Sequence, residues 1–408
     1  MRTRSLLTLS LALALTACGG DDDGPVGPVD PWMEFTPLQL PEGTMPLVGA
    51  AVVPGTDDEM ILLEILGTVR HVRIEEDTVT ELGSFTITLE DGCSLLSTAF
   101  DPDYETNHFL YVGQCTTVTG SEIVRYTFAP PDYESVVASA QRIYFVDEPM
   151  ATRAWHQVGS IGFFDDGSMW ALFGEQLRSA NAQDVTNDLG KILRIVPSRD
   201  PAMGGSTPSP LNPFASGGGD ESPNVWTWGV RSPFRGALDA SGNLWVADVG
   251  ENTWEEINVV TGPGQNLGWP VHEGLCRELD CDDFVQPIVS WSHTDDHRFV
   301  LEDEETENTT KRNAYVGLEY QPRNADQYGG RLTGRMIYGD MCAGWVRSVQ
   351  RGSDGRAVAD RFDGHRPYIS QWIQGGDDML YVTTLGLCDD PGAGPLEPAG
   401  LWRVSVAE

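Results

Sequence analysis

A strand–turn–strand signature that returns along the whole chain is the feature that most narrows what this sequence can fold into. It is clearest between Asp188 and Pro270. Two alternating runs, Phe234 to Leu238 and Leu244 to Val249, flank an Asp-Ala-Ser-Gly-Asn turn, and a third, Glu256 to Val260, follows shortly after. Side chains alternating with a period of two, punctuated by Gly, Asn and Asp, describe a meander of short antiparallel strands. The same pattern appears around Leu66-Gly67, where Met60 to Ile65 meets Thr68 to Ile74. It recurs around the Asp101-Pro102-Asp103 turn, with Ser94 to Phe100, Phe109 to Val112 and Glu122 to Phe128. A further copy surrounds Asp165-Asp166-Gly167, with Ser160 to Phe164, Met169 to Phe173 and Lys191 to Val196. The last two are Arg335 to Tyr338 with Gly344 to Val349, and Ile369 to Ile373 with Met379 to Thr384 and Gly400 to Val404.

Six divergent copies of one small sheet predict an all-β, six-bladed β-propeller of four-stranded antiparallel blades. Radial stacking buries both faces of each sheet and leaves only short, protected edges. Composition agrees, since 45 Gly, 26 Pro and 12 Trp in 408 residues suit strands and turns better than long helices. A pair of β-sandwiches is the rival, but no break in composition divides the chain. The surplus over minimal blades falls in Gly/Pro/Asp-rich loops at 176–188, 198–224, 272–312 and 385–399. Of these, the 272–312 loop is expected either to close a site or to make a homodimer.

The chain opens Met1-Arg2-Thr3-Arg4, continues with an apolar run from Leu6 to Ala14, and reaches Leu15-Thr16-Ala17-Cys18. Such a run is too short to span a membrane and has the layout of an export signal. The small residues before Cys18 resemble a bacterial lipobox, which implies a signal peptide over 1–17 and a lipid anchor on Cys18. Residues 18–35, with Gly19-Gly20-Asp21-Asp22-Asp23-Gly24, read as a flexible tether, and 36–408 as the propeller. Gly19 favours an outer-membrane anchor, placing the protein in the bacterial cell envelope and facing the periplasm or the exterior.

Six further cysteines in an oxidising compartment read as disulfides. Order along a repeat fold suggests Cys93 with Cys115, Cys276 with Cys281, and Cys342 with Cys388. The balance of 61 acidic against 26 basic residues, a net charge of -35, disfavours nucleic acid and anionic lipid faces as partners. An anionic ligand therefore needs locally placed cations or a bridging metal.

Seven histidines are few enough to weigh individually. His71 and His108 occupy strand-like or turn-like contexts with no acidic neighbourhood in sequence, while His272, His293, His297 and His365 lie in loops. His156 differs: it precedes the first strand of the third unit, and Glu175 ends the next strand. Two antiparallel strands joined by the Asp166-Gly167 turn bring the chain back to its starting end, so these residues can be neighbours. A carboxylate against an imidazole fixes its tautomer and raises its basicity, as a general base requires. A buried structural pair satisfies the spacing equally. Arg231, after Trp226-Thr227-Trp228-Gly229-Val230, could clamp a planar anion or form a structural salt bridge. Asp248-Val249-Gly250-Glu251-Asn252 is an acidic Gly turn whose carbonyls suit a hard cation such as calcium.

Several of these stretches together resemble the soluble, calcium- and pyrroloquinoline-quinone (PQQ)-dependent aldose dehydrogenases of the glucose/sorbosone dehydrogenase family. They are Leu95 to Tyr104, Leu189 to Ile195, Leu244 to Asn258 with Leu267-Gly268-Trp269-Pro270, and Ile337 to Gly344. The resemblance implies a six-bladed propeller that oxidises the C1 hydroxyl of an aldose sugar to the lactone and passes electrons to an external acceptor. It implies His156 as base, with Val158 replacing one glycine of the family's His-x-Gly-Gly. Glu175 stands where an Asp orients that base. Arg231 matches the catalytic Arg, with Ser232 in place of a cofactor-touching Asn, and the carbonyls of Gly250 and Glu251 match the calcium ligands. The chain departs from the pattern in having Cys93 in place of a Gln. It also carries Pro367-Tyr368-Ile369, with Arg366 adjacent, where an Arg-x-Arg pair would meet the quinone carboxylates. Lys311 is the remaining candidate for the cofactor lysine. These departures support an alternative: a non-catalytic extracellular ligand-binding propeller that has lost quinone binding.

Overall fold

The computed structural model describes residues 31–85, 95–117, 120–130, 133, 139–147, 156–276, 281–293, 313–386 and 399–407. Its strands form six antiparallel sheets. Blade 1 comprises Leu47–Val52, Glu59–Glu64, Thr68–Arg73 and Thr78–Ser84, and blade 2 Leu95–Phe100, Phe109–Thr117, Gly120–Thr127 and Gln141–Asp147. Blade 3 comprises Val158–Phe163, Met169–Phe173, Lys191–Pro197 and Ser206–Pro208, with Val225–Trp228 also paired to its third strand. Blade 4 has Pro233–Leu238, Leu244–Asp248, Trp254–Val260 and Val289–Ser292, and blade 5 Ala314–Glu319, Met336–Asp340, Trp345–Arg351 and Ala357–His365. Blade 6 takes Ile369–Gln374, Leu380–Thr384 and Gly400–Val406 from the end of the described chain, and its outer strand, Met33–Pro37, from the beginning. The innermost strands contact one another in cyclic order, the last against the first, so the sheets close into a six-bladed propeller.

Local chemistry explains the repeat. In blades 2, 3, 4 and 6 the turn between the first two strands is held by an Asp side chain accepting the amide two residues on: Asp101 from Asp103, Asp166 from Ser168, Asp239 from Ser241 and Asp377 from Met379. This Asx turn is why acidic Gly/Asn clusters punctuate the sequence. The central strands are buried on both faces, as in Leu244–Asp248 and Leu380–Thr384. Neighbouring blades interlock through aromatic side chains. Trp291 of blade 4 meets Trp345 of blade 5 edge-on at 4.9 Å, and its Nε1 donates to Asp340 at 2.9 Å.

The axis is polar and tied. Arg235, on the innermost strand of blade 4, donates from Nε to Ser370 O (2.7 Å), from Nη1 to Leu96 O (2.9 Å) and from Nη2 to Val48 O (2.7 Å). One guanidinium thus joins blades 4, 6, 2 and 1, and burial lowers its pKa to about 9. A side chain at Gly159 would run into the carbonyl of Pro233, so that glycine lets the inner strands of blades 3 and 4 approach closely.

The expected tether is too long at its C-terminal end. Trp32 and Met33 are buried, the Trp32 indole donates to Asp363 at 2.7 Å, and Met33 pairs with Val406 to close the ring. Cys276 and Cys281 are joined as expected. Cys115 and Cys342 are also disulfide-bonded, whereas their expected partners Cys93 and Cys388, and the lipidation candidate Cys18, lie outside the described residues.

Candidate active site

Among the described residues, two kinds of segment meet at one face: entries to innermost strands, and turns between second and third strands. His156, Arg231 and Arg366 lie on entries, while Glu175 and Gly250 lie on turns. His156 has a left-handed backbone (φ 58°) just before Val158–Phe163. Its Nδ1 lies 2.8 Å from Glu175 Oε1, with side-chain exposures of only 7% and 3%. An ionised carboxylate only accepts, so Nδ1 carries the proton and Nε2 presents a lone pair. Burial, assisted by the charge of Arg231, lowers the imidazole pKa below 6.5 against the opposing pull of Glu175 and Glu251. His156 is therefore neutral at pH 7 and able to accept a proton.

The surroundings fix this pair. Gln176 Nε2 donates to His156 O (3.0 Å), and Asn181 Nδ2 donates to Glu175 O (3.1 Å). Gly174 packs so closely on the His156 backbone that a Cβ there has no room. Lys191 is fully buried and donates to the carbonyls of Asn181 (2.6 Å) and Leu189 (2.6 Å), pinning the loop that follows Glu175. Burial brings its pKa down to about 7.

Arg231 joins the pair through the backbone, since Glu175 N donates to Arg231 O at 2.9 Å. The amides of Arg231 and Ser232 donate to the two oxygens of Asp248 at 2.8 and 2.7 Å. Burial pushes the Asp248 pKa up to about 7 while those amides and Arg231 oppose it. The Arg231 guanidinium takes main-chain oxygens: Nη1 donates to Val249 O (3.0 Å) and Gly250 O (2.8 Å). It also lies 5.6 Å from the centroid of Trp269. Its Nε, and Oε2 of Glu175, are buried without a hydrogen-bond partner among the described residues.

The remaining candidates are more scattered. Arg366 sits 3.6 Å from the Trp402 ring, over the third strand of blade 6. Of the two expected carbonyl ligands, Gly250 O accepts from Arg231 Nη1, as Val249 O does, and Glu251 donates its amide to Glu273. Lys311 lies outside the described residues. Two histidines prove to have acidic partners that sequence neighbourhood does not reveal: His71 with Glu59 at 2.8 Å, and His293 with Glu255 at 2.6 Å. Both partners are supplied across the sheet. Asp248 and Glu273 are the site residues that sequence reasoning missed in these roles. The only available signal for Asp248 was its position at the end of a central strand, and Glu273 offered none. Two clefts, of about 450 and 600 Å³, open at the opposite face between blades 4 and 5, and their linings include neither His156 nor Arg231.

Fold and site together define a six-bladed propeller with a buried imidazole–carboxylate pair and a guanidinium gathered at one end of its axis. Residues 47–294 match the family model described as Glucose / Sorbosone dehydrogenase, and the chain belongs to that family. Among characterised sequences it is 32% identical over 149 residues to the HIPL1 protein of Arabidopsis thaliana, covering 33% of this chain and 21% of that one. It is 29% identical over 131 residues to the aldose sugar dehydrogenase YliI of Escherichia coli, covering 32% and 33%. The chain thus matches a third or less of the length of either relative. The PQQ-bound aldose sugar dehydrogenase of Streptomyces coelicolor has the same fold, with a TM-score of 0.68 at 21% identity over 92% of this chain and 98% of that one.

The donor set fits a quinone with a calcium ion at this end of the axis. Two main-chain oxygens already gather one positive group, an orphaned guanidinium nitrogen lies beside them, and a neutral imidazole stands next to both. Oxygen ligands of this kind suit calcium, and a guanidinium suits carboxylate or quinone oxygens.

Proposed function

We propose that this protein is a sugar dehydrogenase that oxidises the C1 hydroxyl of an aldose to the lactone, using PQQ and calcium and passing electrons to an external acceptor. The observation that carries the reading is the 2.8 Å His156–Glu175 pair, with its imidazole neutral at pH 7 and its backbone hydrogen-bonded to Arg231. Glu175 holds Nδ1–H, so Nε2 is the atom that accepts the proton of the anomeric hydroxyl. As that proton leaves, the C–O bond gains double-bond character and the C1 hydrogen departs with its electron pair. PQQ bound beside the pair would supply the two-electron acceptor, with calcium polarising it. Arg231, with Ser232, would stabilise the group on which negative charge develops, where a fixed cation contributes most. Gly250, with Val249 or Glu251, would hold calcium through main-chain oxygens. Arg366 and Lys311 are the further cations offered to the cofactor's carboxylates. Export and lipidation at Cys18 would place this chemistry on the cell envelope.

A second reading, a propeller that binds a ligand without redox chemistry, draws support from Arg366, whose guanidinium lies over Trp402. Steady-state turnover separates the two. The full chain loaded with calcium and PQQ is expected to reduce a dye acceptor and form one lactone per two electrons when given aldoses. His156→Ala should lower kcat by roughly 10²- to 10⁴-fold, the usual worth of a general base. No saturable cofactor binding and no lactone from any aldose would favour the second reading.

A further inference from the structure

The turn between Leu244–Asp248 and Trp254–Val260 is sorted by charge. On its amide side one oxygen, Glu273 Oε1, accepts four successive N–H groups: Glu251 (2.6 Å), Asn252 (3.3 Å), Thr253 (3.2 Å) and Trp254 (3.2 Å). On its carbonyl side, Nη1 of Arg231 bridges the oxygens of Val249 and Gly250. Successive amides converging on one anion form a nest. With these four amides committed, the peptide planes from Gly250–Glu251 to Thr253–Trp254 cannot turn over. Glu273 is itself fixed: Gly274 N donates to the buried Glu256, His272 Nδ1 lies 3.1 Å from Gly274 O, and Gly274 (φ +77°) packs against the Trp254 ring. A side chain at Gly250 would meet Glu273 Oε1 at 2.6 Å, so the carboxylate lies directly against the turn.

We infer that Glu273 is a positioning residue of the site: through the Glu251 amide it fixes the peptide plane that presents the Gly250 carbonyl as a cation receiver, and the Arg231 guanidinium is the occupant that a divalent cation must displace. The identity of that cation as calcium rests on the proposed function. A calcium ion sits about 2.4 Å from its oxygens. Arg231 Nη1 is 2.8 Å from the same Gly250 oxygen, so two positive groups would share one acceptor. Cation entry therefore releases the guanidinium, which becomes free to face the ligand whose charge it stabilises. Binding of the metal and arming of Arg231 are one event.

Terbium, a luminescent stand-in for calcium, tests this on the full chain without cofactor, because Trp254 and Trp269 border the turn and can sensitise it. Arg231→Met is expected to bind terbium about tenfold more tightly than wild type. Glu273→Ala is expected to bind it about 10- to 100-fold more weakly, the range for residues that orient metal ligands. Glu273→Gln keeps one carbonyl acceptor for the amides and should fall between. A purely structural role for Glu273 would lower the melting temperature and leave the affinity of the folded protein alone. Equal affinities in wild type and Arg231→Met, or unchanged affinity in Glu273→Ala, would overturn the inference while leaving the enzyme reading intact. No sensitised terbium in wild type and Arg231→Met alike would overturn both the inference and the calcium part of the proposed function.

Discussion

At the scale of single residues, burial sets the chemistry. His156 is covered enough that its pKa falls below 6.5, yet Glu175 pulls the other way through a hydrogen bond and a charge. Protonated His156 cannot accept a proton, so turnover is expected to decline as pH drops through a value below 6.5. Glu175→Gln removes the charge and leaves a neutral amide that can either accept from or donate to Nδ1. The acid limb of the pH–rate profile should move to still lower pH while the plateau falls, on the order of 10²-fold or more, because the tautomer is no longer held. Initial rates between pH 4.5 and 8 check this, and an acid limb that moves upward in Glu175→Gln would contradict it. The pairing was legible because a two-strand return must bring position 156 beside 175. Glu273 was not, because its contacts join two loops whose approach no periodicity encodes. The same holds for Glu59 and Glu255, which reach their histidines across a sheet.

Secondary-structure elements carry the site by close approach. The segment after Met169–Phe173 passes the His156 backbone with glycine alone as spacer, since a Cβ at Gly174 would collide with the His156 main chain. Gly174→Ala is therefore expected to destabilise the fold by about 1–3 kcal/mol, the usual cost of overpacking. It should also lower kcat in the protein that remains folded, as His156 is displaced from Glu175. Urea unfolding and turnover on the same preparation would show it; full activity in Gly174→Ala would mean that the contact is slack. Alternating inner and central strands were readable in sequence because one period governs them. Outer strands were not. Thr78–Ser84 is exposed or half-buried throughout and Ala357–His365 mostly so, both lack an apolar rhythm, and Met33–Pro37 finds its partner only at Gly400–Val406. Ala314–Glu319, an innermost strand, lacks the acidic Gly turn that flags its counterparts and was hidden for that reason.

For the molecule as a whole, closure of the ring brings entries from different blades into one place. Arg235 is the most connected point of that closure, with three carbonyls from three other blades on one guanidinium. Arg235→Met fills similar space but leaves those carbonyls unsatisfied. A loss of about 3 kcal/mol or more is expected, at roughly 1–3 kcal/mol for each orphaned group with partial relaxation. Thermal and urea unfolding would measure it, and unchanged stability would show that the axis is held by packing alone. The proposed function requires His156 and Arg231, from blades 3 and 4, to serve a single bound ligand at the end of this axis. The most direct test is to titrate the calcium-loaded protein with PQQ, follow the bound-cofactor absorbance, and then add an aldose. Wild type should saturate at one cofactor per chain and bleach on sugar addition; His156→Ala should saturate alike and bleach far more slowly, and Arg231→Met should bind more weakly. Absence of saturable binding, or equal bleaching in His156→Ala, would contradict the claim.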